Sequence, residues 1–539
     1  MAGPQEEQDQ QSASEWADEV LAQRVGRRRF LSRTAVVGLT ATTATAFLAA
    51  CEQLATTTPT PIATPTPTAF ATPTPFATPT PRLTATPTVV PAPTATPRAV
   101  LTTEDARVSH LLRRAGFGAS AAELVQFRSM GLDAAIDRLV DFQHIDNSAL
   151  EERLAAQEID IERLGHIQRW WLQRMAYTTR PLEEKMTLFW HGILTSSFRK
   201  TGSGPAMYNQ NGLFRRMGMD RYNAMLKSVS RDPAMLIYLD SRKNKKRKPN
   251  ENYSRELMEL FTLGIGNYTE DDVRESARAF TGFQVRGQEE FIFNPRQHDT
   301  AKKTFLGQTG NWDGDDVVDI IMSQPIAAEY IARRLWEFFA YPDPEPAIVA
   351  RLAQVFREGD TRIRPVVRAI FESDEFYGPR AVRALVKGPA ELVATTVRSL
   401  GIDTNFAKLT SRVTAMGQEL FAPPNVAGWD GGATWINSAT LLERINLANA
   451  VATGRRSKLR FEPMLLIDAN RDTPPSEIVD FLVDLLLGGE VQAATGDAMT
   501  AHLRELAVPR AATGRIAPFD EQLRSLVYLV LASPDYQVA

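Results

Sequence analysis

The amino-acid sequence predicts a mainly α protein: a single large multi-helix domain behind a signal segment and a disordered Pro/Thr stalk. Three observations carry this expectation. Helix caps and helical apolar spacing recur from Thr102 onward, strand-like alternation is scarce, and no repeat of fixed period is present. The 539-residue chain is 43% hydrophobic and 23% charged, ordinary values for a soluble globular body that buries a large core without staples. The organisation expected is 1–50 as signal segment, 51–99 as linker and 100–539 as the helical domain.

At the N-terminus, Arg27, Arg28 and Arg29 are followed by Phe30 and Leu31, then by a weakly apolar run ending Leu48-Ala49-Ala50-Cys51. A charged region, an apolar region and a small-residue cleavage site in this order make an export signal. The run carries five Thr and a Gly in residues 34–50, too short and polar to span a bilayer well. Arg27-Arg28 with Phe30-Leu31 resembles a bacterial twin-arginine signal, and Leu-Ala-Ala-Cys resembles a lipoprotein box. The resemblance implies export to the cell envelope and membrane attachment through lipid on Cys51, with the domain on the extracytoplasmic side. Cys51 is the only cysteine, so the body has no disulfide framework, thiolate metal site or cysteine nucleophile. Residues 59–97 hold 12 Pro and 13 Thr. Such a tract cannot pack a core and favours extended polyproline conformation, reaching about 120 Å at ~3.1 Å per residue.

Within the body, Ser120 and Glu123 form a capping box and Gly131 stands where a helix-closing glycine belongs. Pro181 opens a segment with Leu182, Met186, Phe189, Trp190 and Ile193 at helical spacing. A third helix is expected from Thr269–Asp272 to near Gly282, and a fourth starting at Thr440. Glu290-Phe291-Ile292-Phe293 is the best strand candidate, and Asp313 with Asp315 and Asp316 reads as a helix start, since calcium-loop spacing is lacking. The net charge of −3 gives no footprint for nucleic acid. One local exception is the basic run at residues 242–248, read as a solvated loop with a phosphate or anionic-glycan contact as the sharper alternative.

Residues 249–264 are the most informative. At 100° per residue Tyr253, Leu257, Leu260 and Phe261 share an apolar face, while Asn252, Arg255, Glu256 and Glu259 fall in one polar stripe. Two adjacent carboxylates in a cleft repel unless a cation or proton lies between them, the basis of metal binding or acid–base work; on a surface they are a solvated face. Imidazoles are few: His110, His191 beside Trp190, and His298 before Asp299 are the notable ones, each first read as a hydrogen-bonded core residue. There is no Gly-x-Ser-x-Gly elbow, phosphate loop, His-Glu-x-x-His or Gly-x-Gly-x-x-Gly, so the common hydrolase and nucleotide templates have no support.

Five ordered stretches resemble the bacterial family known as domain of unknown function 1800: residues 110–118, 184–192, 250–266 with 268–273, His298-Asp299 with 303–307, and 424–429 with Trp435-Ile436. The resemblance implies an exported, mainly helical protein of unassigned activity. It also implies an exported alkaline-phosphatase-like partner, domain of unknown function 1501. One departure is that the family's Trp-His-Gly-His continues here with Ile193, which puts in doubt any site needing both imidazoles.

Two functional readings follow. The first is an envelope enzyme, a metal-dependent hydrolase in its sharpest form. Glu256, Glu259, Arg255 and His191 are its catalytic candidates, and Glu256, Glu259, His298 and Asp299 its divalent-metal ligands. The second is a non-catalytic binding or assembly protein that engages a partner or a polysaccharide through Trp190, Trp429 and Trp435. Exposed tryptophans favour the second; buried ones do not.

Overall fold

The structure is a computed structural model that describes residues 101–539 apart from 455–458, 460, 468, 471, 490, 492 and 509–515. The expected export signal (Arg27, Arg28, Phe30, Leu31), the lipidation site Cys51 and the Pro/Thr linker lie outside the described residues.

The described residues are mainly helical, as the sequence predicts, and among them are two short antiparallel hairpins: Phe283–Arg286 with Glu290–Phe293, and Lys303–Phe305 with Gln308–Gly310. Local chemistry sets the helix starts. Ser120 caps Ala121–Met130 in a reciprocal box with Glu123, and Gly131 closes it at φ 79°. Thr269 and Asp272 do the same for Glu270–Ala279, which ends near Gly282 as expected. Asp313 accepts from the Asp315 and Asp316 amides to open Gly314–Met322. The helix expected from Thr440 starts earlier, as Ser438–Thr453, because Asn437 is the cap and Thr440 its N3 partner.

Buried apolar side chains form two clusters, one drawn from Leu101 to Val382 and one holding Phe117 and most of the C-terminal helices. The Pro181–Ile193 helix serves both, with Leu182, Met186, Phe189, Trp190 and Ile193 in the first and Leu188 in the second. Such a helix, buried nearly all round, has to satisfy its polar side chains internally. Glu184 accepts from Arg174 Nε (2.8 Å), Arg215 Nε and Nη2 (2.7 and 2.8 Å) and Trp171 Nε1 (3.0 Å). Burial opposes its ionisation, yet the two guanidiniums hold its carboxyl down to about 2. Its neighbour Lys185 pairs with Glu391 on the Pro389–Ser399 helix. Among the described residues no helix is long and apolar enough to cross a membrane.

Candidate functional site

The informative segment is a helix that changes pitch. Asn252–Glu256 is α-helical and Leu257–Thr262 is a π-helix, in which Leu263 N reaches back five residues to Met258 O at 2.8 Å. Wider winding buries Met258 and Thr262 beside Tyr253, Leu257 and Phe261, while Leu260, expected on the apolar face, is only partly covered. Tyr222 anchors the turn by donating to Phe261 O (2.6 Å) and stacks on Trp190 at 5.0 Å. The polar stripe survives: Arg255, Glu256 and Glu259 are all partly exposed.

The members of that stripe are not alike. Arg255 forks onto Glu270 (2.7 and 2.8 Å) and touches Glu251 at 3.5 Å, so its donors are turned to the surface and away from a transition-state role. Glu259 accepts from the Tyr268 hydroxyl at 2.7 Å, which burial and Glu259 itself push up to about 12 and so keep protonated. Glu256 has no ion-pair partner within bonding distance among the described residues. Burial, then the Glu259 charge, push its carboxyl above the usual range, with Arg255 pulling the other way. Two neighbouring carboxyls in unlike environments are the arrangement that separates a proton donor from a proton acceptor.

Glu256 is within electrostatic reach of Tyr238, which in turn meets Thr195. Burial and the Glu256 charge raise the Tyr238 hydroxyl, and the Thr195 hydroxyl beside it pulls the other way. Thr195 donates to Val426 O at 2.6 Å, bringing the loop at 424–429 onto the end of the Pro181–Ile193 helix. Gly428 makes that approach possible: its φ is +85°, and a Cβ there would lie 2.4 Å from Gly192 O. Trp429 then stands half-exposed, 5.5 Å from the His191 ring, whereas Trp190 and Trp435 are buried. Tyr238 and Thr195 escaped sequence reasoning, because Tyr238 reads as one more apolar residue in the run Met235–Leu239.

The imidazoles do not join the carboxylates. His191 is enclosed by Trp171, Phe421 and Trp429, and its Nε2 accepts from Phe421 N at 3.1 Å. That bond leaves the lone pair engaged, and burial pushes the ring down to about 3, so it is a neutral core group. His298 meets Thr281 O through Nδ1 (2.8 Å) and faces Phe293. Asp299 accepts from Arg278 Nε (2.8 Å) and Ala301 N (2.9 Å). Burial disfavours its charge, but these bonds with the Arg278 and Lys303 charges keep its pKa below the usual range. Among the described residues no group of three or more His, Cys, Asp or Glu is placed to hold a metal ion. The expected ligand set of Glu256, Glu259, His298 and Asp299 is therefore not assembled, because each histidine and Asp299 is committed to its own loop or core.

Fold and site together define a large helical protein with a partly exposed carboxylate pair on a helix that changes pitch. The chain matches the family described as protein of unknown function (DUF1800) over residues 110–538, and it belongs to that family. No curated protein and no solved structure matches it.

Proposed function

We propose that this is an exported, lipid-anchored envelope protein carrying an acid–base site, with Glu256 as proton donor and Glu259, oriented by Tyr268, as acceptor. The observation that carries this reading is the split environment of the pair: burial and Glu259 favour a proton on Glu256, while Glu259 is hydrogen-bonded by Tyr268. A donor and an acceptor side by side suit hydrolysis, in which Glu256 protonates the leaving group and Glu259 takes the proton of the attacking water. Export and anchoring rest on Arg27, Arg28, Phe30, Leu31 and Cys51. The test is turnover of extracytoplasmic polysaccharides by the purified protein. Glu256→Gln and Glu259→Gln should each abolish turnover with unfolding midpoints no lower than the parent's; unchanged turnover in both overturns the reading.

Half-exposed Trp429, on a loop that glycine holds against the helix end, favours a second reading. In it the same surface binds a polysaccharide or an exported alkaline-phosphatase-like partner without catalysis. Loss of binding in Trp429→Ala, with Glu256→Gln unaffected, would select it.

A further inference from the structure

Outside the carboxylate site, the most concentrated charge is the basic turn: Arg242, Lys243, Lys245, Lys246, Arg247 and Lys248 fill six of seven positions, all exposed. Like charges at this density repel, and an untethered loop would spread. Here the backbone is held. Lys245 and Lys248 bridge a two-residue turn, with Lys248 N to Lys245 O at 2.8 Å, and Lys246 N donates to Gln297 O at 2.8 Å. Buried Asn244 fixes the root, donating to Ala277 O (2.8 Å) and accepting from the Asn250 amide (2.9 Å) through its side chain, and from Gly282 N (3.1 Å) through its carbonyl. Lys243 and Lys200 share Asp240. Among the described residues no carboxylate pairs with Lys245, Lys246, Arg247 or Lys248.

Gln297, which holds the turn through Lys246 N, follows exposed Arg296, and in the same segment the ring of Phe293 is 48% exposed and 5.3 Å from His298. We propose that this turn is a docking surface for an anionic phospholipid bilayer, its cations meeting headgroup phosphates and Phe293 entering the boundary region. A soluble polyanion needs the cations alone. The neighbouring exposed aromatic, and cations carried on the tip of a turn rather than along a groove, fit a flat amphipathic surface better. The inference does not depend on the acid–base reading.

The test uses the full chain carrying Cys51→Ala, so that no acyl chain contributes, with vesicles of phosphatidylcholine alone or with roughly a third phosphatidylglycerol. The readout is the ratio of anionic to neutral partition. Each cation near such a surface strengthens binding by about five-fold, so Lys→Gln at 245, 246 and 248 with Arg247→Gln should cut the ratio by up to about 600-fold and by no less than about ten-fold. Raised salt should cut it similarly, and Lys→Arg at the same three lysines should preserve it. Phe293→Ser should weaken vesicle binding and leave any binding of soluble heparin unchanged. Thermal midpoints equal to the parent's confirm that these exposed changes leave the fold intact. An unchanged ratio in the glutamine variant overturns the proposal. So does a parent chain that binds heparin through these four side chains yet ignores anionic vesicles.

Discussion

Glu256 and Glu259 lie one turn apart and differ in what surrounds them, which gives their substitutions opposite meanings. A carboxyl whose folded pKa is raised holds its proton more tightly folded than unfolded, so stability falls as pH rises through that interval. For Glu256 the penalty is present at neutral pH and absent below the usual carboxylate range. Glu256→Gln should therefore unfold at higher urea than the parent at pH 7, by ~1 kcal/mol or less because water screens a half-exposed group, and match it at pH 4. A variant less stable at both pH values would show that the carboxylate is a structural partner. Glu184 is the contrasting case. Its lowered pKa contributes stability above the usual carboxylate range that is lost as pH falls toward about 2. Removing the charge leaves Arg174 with Glu151 alone and Arg215 with only the Asn211 side-chain oxygen, and Glu184→Gln should cost roughly 3 kcal/mol in urea unfolding at pH 7. The residue types of the Glu256–Glu259 pair were legible in the sequence but their roles were not, and the Glu184 cluster gave no local signal. His191, read first as a hydrogen-bonded core residue and second as a catalytic candidate, is a neutral core ring whose hydrogen bond comes from Phe421, far along the chain.

Elements were legible where a local signal exists. The capping boxes at Ser120 and Thr269 and the proline at 181 all open helices, since their chemistry is complete within four residues. The π-turn was not, because apolar spacing in residues 253–261 fits α winding nearly as well; only tertiary partners such as Tyr222 on Phe261 O select the wider coil. The loop at 424–429 depends on one backbone position. Gly428→Ala combines a left-handed φ with a Cβ against Gly192 O, and should cost about 1–3 kcal/mol. Faster amide exchange at 424–429 and around Thr195, with the Pro325–Phe339 helix unaffected, would locate the damage; uniform protection would contradict it.

At the scale of the molecule, the fold class followed from composition and caps, while the convergence of Gly192, Thr195, Tyr238 and Gly428 could not, because long-range contacts leave no spacing to read. The Pro181–Ile193 helix joins both apolar clusters, and Lys185 with Glu391 ties it to the Pro389–Ser399 helix. Placement in the cell rests on the N-terminal segment. At high salt, which screens the basic turn, Cys51→Ala should move the protein from the membrane fraction to the soluble one, because acyl chains hold a membrane by about 0.8 kcal/mol per buried CH₂. Equal retention of both forms at high salt would remove the lipid anchor from the proposal. Changing Arg27, Arg28 and Arg29 together to Lys should block export, and unchanged export would point to another route.

The proton on Glu256 is the feature on which the proposed chemistry turns. Carbon-13 labelling of the glutamate side chains, with Glu256→Gln to assign its carboxyl resonance, allows its titration to be followed directly by NMR. Its midpoint should lie above that of an ordinary glutamate and fall when Glu259 is changed to Gln, since the second carboxylate is one of the two causes of the shift. A midpoint in the ordinary carboxylate range, indifferent to Glu259→Gln, would contradict the donor–acceptor pair.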